Sequence, residues 1–409
     1  MILSCPTATS LLPCVAFLTL CLLSAIGAGA GELRRSANAA FPDLPFSAAV
    51  ELGDLVYVSG ALGTLPGSSS LAEGIPGQVK QTLDNLESAL GRLGLDRSRI
   101  VEMRVYLPDV RNFPAVNDEI GKRFGKEAPT MTVVEGALAL AGAEVEIAVV
   151  AVRAGVEIRS IKPEGWPEPV AHFRRALVAG DSLFVSGQVG YDPQKRETPA
   201  GTAAQAKLAF ANIRTLALAA GFAMEEVASC RVFLADARDF SQLNQVWNEQ
   251  FPDAPPVRET LQGKMTDPEF RIEIHCHAIK GARRAIEPSG QKPATQPYST
   301  AVAAGGRLYT SGMVARGPEG WVQGGIREQT RAVLAKLRAA LEAAGATPDD
   351  VADATVVLAH PSYYPVMNEE YRQFFPNGFP SRITVVQPLM AAEGLVEISF
   401  IARLAPPPG

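Results

Sequence analysis

The chain contains few of the side chains that bind metals, with four histidines and five cysteines among its 409 residues. This scarcity leaves little room for a metal enzyme or for a framework of disulfides. The chain also lacks an excess of positive charge, since 38 Lys and Arg stand against 43 Asp and Glu. A protein that binds nucleic acid should carry surplus cations to displace the counterions of phosphate, so the composition argues against such a partner.

The first 30 residues form a separate segment. They contain no charged residue and no histidine, and residues 11–26 are almost wholly apolar. This stretch is shorter than the roughly 20 residues of a membrane-spanning helix, and small residues typical of a signal cleavage site follow it at 28–30. We predict an export signal over residues 1–30, giving a periplasmic or secreted protein without stable membrane association. An uncleaved anchor or a misassigned start codon, with a cytoplasmic protein, are the alternatives.

Removal of this segment would leave Cys230 and Cys276 as the last two cysteines. Both lie in predicted strands, so one bridge between them is possible in an oxidising compartment. Unpaired cysteines that act as small buried hydrophobic residues are the commoner arrangement, and the sequence favours that interpretation.

The rest of the chain repeats itself three times. The segments LVYVSG, LFVSG and LYTSG end at Gly60, Gly187 and Gly312, at intervals of about 125 residues. An apolar stripe with helical spacing and a closing glycine follows each segment. In the first copy the stripe consists of Val79, Leu83, Leu86, Leu90 and Leu93, closed by Gly94. We therefore predict three units, over residues 40–156, 165–283 and 292–405, joined by proline-rich linkers.

Each unit is predicted to have an α+β fold with a mixed sheet. The order is two short strands, a helix, a strand, a second helix and a closing hairpin, which places both helices on one face of the sheet. The other face of each sheet needs burial. Three units in one chain can close these faces on one another, so we expect a monomer that forms a pseudo-trimer.

Three motifs carry a resemblance to a known family. They are the strand that ends in Ser-Gly, the DxxxFxxVN stretch that begins at Asp109, and the segments VRET…IEI and SRIT…VEI near the ends of the second and third units. With these motifs the units resemble the RidA/YjgF family of reactive-intermediate deaminases, also called the L-PSP endoribonuclease family. The resemblance implies chorismate-mutase-like units with ligand clefts between them. It also implies hydrolysis of enamines or imines to 2-keto acids and ammonia, without a metal or an organic cofactor.

The resemblance further implies which residues form the site. The catalytic positions of the family fall on Arg258, Glu273, Arg382 and Glu397. Its substrate-binding positions fall on Tyr298, Ser186, Gly187, Ser311, Gly312, Asn244 and Asn368. In the first unit the arginine position is occupied by Met131, which cannot bind a carboxylate, so the site of that unit is expected to be degenerate even though Glu146 remains.

These residue types suit a small substrate that carries a carboxylate. An arginine binds a carboxylate through a planar fork of charge-assisted hydrogen bonds. A nearby glutamate can take a proton from water and return it to the departing amine. The alternatives are purely structural roles: a cross-strand ion pair for each Arg and Glu, surface or capping positions for the asparagines, and core packing for Tyr298.

His275 and His277 lie two residues apart in a predicted strand and therefore share a face. They could be two metal ligands, but no further Cys/His cluster completes a tetrahedral site, so a packed or solvated strand is the preferred interpretation and no metal is predicted. Three functions stay open. They are an exported imine deaminase, a non-catalytic module that binds small carboxylates, and, least supported by the acidic composition, RNA cleavage.

Overall fold

The computed structural model describes residues 33–38, 41–288 and 297–405. The predicted export signal lies outside the described residues and stays a prediction. Three units of the same design follow one another, and we name them unit 1 (residues 33–152), unit 2 (158–279) and unit 3 (283–403). Each is a mixed sheet packed against two helices, so the predicted α+β class is confirmed.

Unit 1 has the sheet order β1-β2-β3-β7-β4-β5. Its elements are β1 (Leu33–Ser36), β2 (Ala49–Leu52), β3 (Leu55–Leu62), α1 (Gly74–Gly91), β4 (Ile100–Leu107), α2 (Phe113–Phe124), β5 (Thr130–Glu135), β6 (Ala137–Leu138) and β7 (Glu146–Val152). Strands β4 and β5 are parallel, and the other neighbours in the sheet are antiparallel.

Unit 2 repeats this arrangement with the order β8-β9-β10-β13-β11-β12. Its elements are β8 (Ile158–Ile161), β9 (Ala176–Ala179), β10 (Ser182–Val189), α3 (Thr202–Ala220), β11 (Val227–Leu234), α4 (Phe240–Gln250), β12 (Val257–Gln262) and β13 (Ile272–Ile279). Here β11 and β12 form the parallel pair.

Unit 3 has the order β14-β15-β16-β22-β20-β21, and β6 of unit 1 extends its edge by pairing with β21. Its elements are β14 (Arg283–Ile286), β15 (Ala301–Ala304), β16 (Arg307–Thr310), β17 (Met313–Val314), β18 (Arg316–Gly317), β19 (Gly320–Trp321), α5 (Ile326–Ala343), β20 (Val351–Leu358), α6 (Tyr364–Phe374), β21 (Ser381–Val386) and β22 (Val396–Arg403). The shared β6–β21 pairing ties the first unit to the last.

The predicted closing hairpin is wrong. In unit 1 the last two long strands, β5 and β7, are not neighbours, because β4 lies between them. The helix α2 carries the chain from β4 back to a parallel partner, β5, as parallel strands require. The chain then returns so that β7 inserts between β3 and β4 as an antiparallel neighbour of both.

The predicted helical stripes are confirmed as the contact between helices and sheets. In α1, Val79, Leu83, Leu86 and Leu90 are all buried in the core beneath the helices of unit 1. The glycines that follow the long helices, Gly94, Gly221 and Gly345, have φ between 71° and 83°. This is the left-handed region that a glycine tolerates at a helix end.

The opposite faces of the sheets close on one another. Along β4, Met103 and Val105 pack under the helices of unit 1, whereas Tyr106 points the other way. Tyr106 packs in one cluster with Phe233 of unit 2 and Val357 of unit 3, the equivalent residues of the other repeats. The three sheets therefore surround a common pseudo-threefold axis, and the expected pseudo-trimer is present in one chain.

Cys230 of β11 and Cys276 of β13 face each other across an antiparallel pair and are joined by a disulfide. The sequence favoured unpaired cysteines, and it could not show that the two residues are direct partners in the sheet. None of the helices in the described part of the chain is long and apolar enough to cross a bilayer.

Candidate active-site clefts

Three equivalent clefts lie where the units meet. In each, the strand that carries the arginine position of one unit contacts the Ser-Gly segment of the next. We name them by their units: the 3/1 cleft at Arg382, the 2/3 cleft at Arg258 and the 1/2 cleft at Met131. The same hydrogen bond closes all three. The backbone N–H of residue 382, 258 or 131 donates to Ser59, Ser311 or Ser186 at 2.8, 2.9 and 2.9 Å, respectively.

In the 3/1 cleft, helix α6 holds the guanidinium of Arg382. Its Nη1 donates to Asn368 Oδ1 at 2.8 Å and its Nη2 donates to the Tyr364 hydroxyl at 3.2 Å. The rings of Tyr371 and, from unit 1, Phe46 lie 4.9 and 5.2 Å from the guanidinium carbon. These contacts fix the plane of the guanidinium, which a bound carboxylate requires.

The carboxyl group of the 3/1 cleft is that of Glu146, the first residue of β7. Burial raises the pKa of Glu146 to about 8, although the Thr384 backbone N–H and the Arg382 guanidinium act in the opposite direction. The carboxylate lies directly over Gly60, where an added Cβ would be 2.0 Å from Oε1. The glycine of the Ser-Gly pair is therefore needed for space and not for its φ angle.

A cavity of about 480 Å³ opens onto Arg382 and Glu146. Most of its other lining is apolar, with side chains from the start of unit 1, from β3 and from the loop before β7. These include Phe41, Leu44, Leu62, Leu65 and Leu140. The 3/1 cleft thus combines a cation, a carboxyl group and an apolar chamber large enough for a small organic molecule.

In the 2/3 cleft, Arg258 is more deeply enclosed. Its Nη2 donates to Asn244 Oδ1 at 2.8 Å, and the rings of Trp247 and Tyr298 each lie 4.8 Å from the guanidinium carbon. Among the described residues, Nε and Nη1 of Arg258 are buried without a hydrogen-bond partner. Burial lowers the pKa of Arg258 to about 10, against the opposing effects of Tyr298 and Glu397. A buried cation with free donors is unusual and indicates a place for an anionic ligand.

Glu397 of β22 supplies the carboxyl group of the 2/3 cleft. Burial and the charge of Glu259 raise its pKa well above the usual value, whereas Arg231 and Arg258 oppose this. An added Cβ at Gly312 would be 1.8 Å from Glu397 Oε1, and the Gly312 N–H donates to the Arg258 carbonyl at 3.1 Å. The glycine again brings the arginine strand and the glutamate together.

The 1/2 cleft has the same frame without the cation. Glu273 lies over Gly187 with its pKa raised to about 8 by burial, and Met131 takes the arginine position. Asn117, equivalent to Asn244 and Asn368, accepts a hydrogen bond from the His172 backbone N–H at 2.7 Å. A segment of unit 2 therefore occupies the asparagine that holds the guanidinium in the other two clefts.

The predicted residues thus come together in combinations that the sequence did not indicate. Arg258 and Glu273, fifteen residues apart, belong to different clefts, and β11 separates their strands, so they are not a cross-strand ion pair. Arg258 instead meets Glu397, and Arg382 meets Glu146, which the predicted catalytic set omitted.

The degenerate site is likewise shared between two units. It takes Met131 from unit 1 but Ser186, Gly187 and Glu273 from unit 2. The corresponding unit 1 residues, Ser59, Gly60 and Glu146, complete the cleft of Arg382. The cleft that lacks an arginine therefore takes its glutamate from unit 2 and not from unit 1, because every cleft is built across an interface.

The sequence prediction missed the aromatic residues around the arginines. Phe240 and Trp247 surround Arg258, and Tyr364 and Tyr371 surround Arg382. A signal was present, because Phe240 is the phenylalanine of the DxxxFxxVN pattern and lies four residues before Asn244. Residues spaced by four on a helix share a face, so the aromatic ring and the asparagine reach the same guanidinium.

Comparison with known proteins gives a consistent result. Three segments of the chain, residues 37–153, 164–280 and 289–404, match the family described as Endoribonuclease L-PSP. A RutC family protein of Sulfurisphaera tokodaii is 34% identical over 125 residues, which is 30% of this chain and 100% of the relative. The 2-iminobutanoate/2-iminopropanoate deaminase of Bos taurus is 33% identical over 116 residues, 28% of this chain and 85% of the relative. The crystal structure of RidA from a Psychrobacter species is 30% identical and covers 30% of this chain and 98% of its own, with a TM-score of 0.29.

Proposed function

Because the chain belongs to the endoribonuclease L-PSP family, we propose that it hydrolyses small 2-imino or enamine acids to 2-keto acids and ammonia at the 3/1 and 2/3 clefts. The observation that carries this proposal is the buried guanidinium of Arg258, which has donors free for a carboxylate and lies beside the buried carboxyl group of Glu397. A relative of similar sequence is named as an imine deaminase, and its match extends over a single unit.

The chemistry assigns separate tasks to the arginine and the glutamate. Arg258 or Arg382 binds the substrate carboxylate and fixes the C=N carbon near the glutamate. Glu397 or Glu146 takes a proton from water as the oxygen adds to that carbon. The same group returns this proton to nitrogen to give a carbinolamine, and it then carries the proton of the new hydroxyl group to the amine. The C–N bond breaks as the C=O bond forms, and a 2-keto acid and ammonia leave. No redox step is involved, and the imine and one water account for all product atoms.

The two active clefts are proposed to differ in the substrates they accept. The 3/1 cavity of about 480 Å³ is lined mainly by apolar side chains, which suits an imino acid with an apolar side chain. In the 2/3 cleft, Tyr298 of unit 3 packs over Arg258 and is half-buried, which favours a shorter substrate. We assign no turnover to the 1/2 cleft, because Met131 offers no charge to a carboxylate.

The experiment is to measure ammonia and keto-acid release from 2-iminopropanoate generated in situ by an amino-acid oxidase. The purified protein is compared with Arg258→Ala, Arg382→Ala and the double variant, and Met131→Ala is the matched control in the third cleft. We expect acceleration over buffer that each single substitution reduces and the double substitution abolishes, with Met131→Ala unchanged.

Failure to accelerate the hydrolysis of a panel of amino-acid-derived imines, with folding verified by circular dichroism, would overturn the proposal. The protein would then be a non-catalytic module that binds small carboxylates. That alternative predicts binding of a keto acid by calorimetry that disappears in the double arginine variant.

A further inference from the structure

A cluster of two histidines and one glutamate lies on the inner faces of the sheets, beside a cavity that residues of all three units line. His275 and His277 project from the same face of β13 in unit 2, and Glu102 projects from β4 in unit 1. The His275 Nε2 lies 3.1 Å from Glu102 Oε2, and the His277 Nε2 makes a second, shorter contact with the same oxygen. The three potential ligand atoms all lie within 4.8 Å of one another.

The cluster is enclosed but reachable. Glu102 and His275 are buried, and the His277 side chain retains 13% of its exposure. All three line a cavity of about 50 Å³ that also receives Tyr309 of unit 3. This volume accommodates an ion and a water molecule, since one water needs only about 10–15 Å³ of such space.

The charges around the cluster leave a place for one further cation. Three carboxylates, those of Glu102, Glu259 and Asp353, line this cavity with two guanidinium groups, those of Arg104 and Arg231. Arg231 pairs with Glu259, and Arg104 Nη2 lies 3.2 Å from Asp353. Glu102 has only a more distant contact, from its Oε1 to Arg104 Nε at 3.6 Å. Arg104 is thus shared by Asp353 and Glu102, and Glu102 has the longer contact with it and faces the two imidazoles.

We propose that Glu102, His275 and His277 bind one divalent transition-metal ion, for which Zn²⁺ is the best match. Imidazole nitrogen and carboxylate oxygen are preferred ligands of Zn²⁺ at about 2.0–2.2 Å. Ligand atoms of a tetrahedral site with those bond lengths lie about 3.4 Å apart. The 3.1 Å between Glu102 and His275 is close to this spacing, whereas the contact between His277 and Glu102 is shorter and has to open for an ion to enter. The cavity leaves the fourth position for water, and Arg104 orients the second oxygen of the glutamate.

Among the residues that the structure describes, this is the one cluster of its kind. At the positions equivalent to His275 and His277, unit 1 has Ala148 and Val150, and unit 3 has Ser399 and Ile401. A homotrimer would place three identical sets of ligands around its axis, whereas the fused chain places one. The bound ion joins the inner faces of units 1 and 2, so it stabilises their association and takes no part in the proposed hydrolysis.

Two measurements test this proposal with the purified protein. In the first, Co²⁺ replaces Zn²⁺ as a spectroscopic probe, and its visible absorption bands report a tetrahedral site with nitrogen and oxygen ligands. In the second, elemental analysis after gel filtration from Zn²⁺ gives the number of ions bound per chain. We expect one equivalent of each metal, and a rise in Tm of a few degrees when Zn²⁺ is in large excess over its Kd.

The four histidines of the chain provide a matched control. The double variant His275→Gln/His277→Gln should lose metal binding at least 100-fold, whereas His172→Gln/His360→Gln should retain it. Glu102→Gln is the second test, for use if the double variant fails to fold. It keeps a hydrogen-bond acceptor but loses the anionic ligand, so it should weaken metal binding. Less than 0.1 equivalent of metal on the unmodified protein, or equal binding by both double variants, would overturn the proposal and leave a His–Glu–His hydrogen-bond network.

Discussion

The 3/1 and 1/2 clefts are built from equivalent residues and differ mainly at one position. Both keep the serine that accepts a backbone N–H, and both keep a buried glutamate, Glu146 or Glu273, with a pKa of about 8. The first cleft has Arg382 where the second has Met131. The helix asparagine changes partner accordingly, since Asn368 accepts from the guanidinium and Asn117 accepts from a backbone N–H of the next unit.

This difference separates two roles that are combined in the other clefts. The serine, glycine and glutamate persist where no arginine is present, so the arginine is not needed to join neighbouring units. The arginine occurs only in the 3/1 and 2/3 clefts, whereas unit 1 keeps one of its aromatic neighbours as Phe113 and replaces another by Ile120. The 1/2 cleft is therefore a natural control for the proposed chemistry.

The largest effect is expected from Met131→Arg, which places the missing cation in the 1/2 cleft. Met131 packs in the core of unit 1, and Asn117 is already occupied by the His172 N–H. At the positions of the aromatic residues that surround the other arginines, unit 1 has Phe113 and Ile120. A buried, poorly partnered charge should lower the free energy of unfolding by about 3–5 kcal/mol, as measured by urea denaturation.

The same substitution should add no turnover. Turnover is measured in a protein that also carries Arg258→Ala and Arg382→Ala, so that the two proposed active clefts are inactive. Met131→Leu is the control for packing, and it should lower the free energy of unfolding by less than about 1.5 kcal/mol. Ammonia release restored by Met131→Arg would contradict the view that the arginine needs its helix partners.

A smaller effect, on rate, is expected from alanine at the glycines beneath the glutamates. An added Cβ would lie 1.7–2.0 Å from the carboxylate at Gly60, Gly187 and Gly312, so each glutamate must move. Displacement of the proton-transfer group by about 1 Å should reduce the turnover of its own cleft roughly 100-fold. Steady-state keto-acid release is measured for Gly60→Ala and Gly312→Ala, each with the arginine of the other active cleft removed.

Gly187→Ala is the matched variant in the 1/2 cleft. It meets the same steric conflict, so its effect on Tm should resemble that of the other two, whereas its effect on turnover should be small. Equal loss of activity in all three variants would show that the glycines act through the fold and not through the glutamates.

The smallest effect is a pH dependence. The pKa of Glu146 is raised to about 8 by burial, and a base must be ionised to take a proton from water. The kcat/KM of the 3/1 cleft, measured in Arg258→Ala with the buffer rate subtracted, should therefore rise up to tenfold per pH unit below about pH 8 and then level off. Glu146→Gln should be slow and flat, and a profile that falls with pH in Arg258→Ala would refute a role as base.

The sequence was sufficient for the features that depend on local pattern. The three units, their helical stripes and the residue types of the site could be predicted because apolar spacing and short motifs reflect contacts within one element. The predicted hairpin failed because β5 and β7 are neighbours in the sequence but not in the sheet. Strand order depends on the crossover through α2, which leaves no mark in the strands themselves.

The pairing of residues across interfaces could not be predicted from the sequence. Glu146 and Arg382 are more than 200 positions apart and meet only when the first and last units close the ring. Glu102 completes the cluster of His275 and His277 from another unit, so inspection of the sequence near the histidines could not find a third ligand. Cys230 and Cys276 became partners only once β11 and β13 were known to be adjacent.

The first and last units of one chain meet at the 3/1 cleft, and this affects how the cleft behaves when the protein is diluted. In an assembly of separate subunits, a cleft of this kind is lost when the protein falls below the dissociation constant of its interface. Here the two sides belong to one polypeptide, and covalent connection holds them at an effective concentration that can reach the millimolar range. The number of intact clefts is then independent of protein concentration. This property suits a chain that is predicted to leave the cytoplasm.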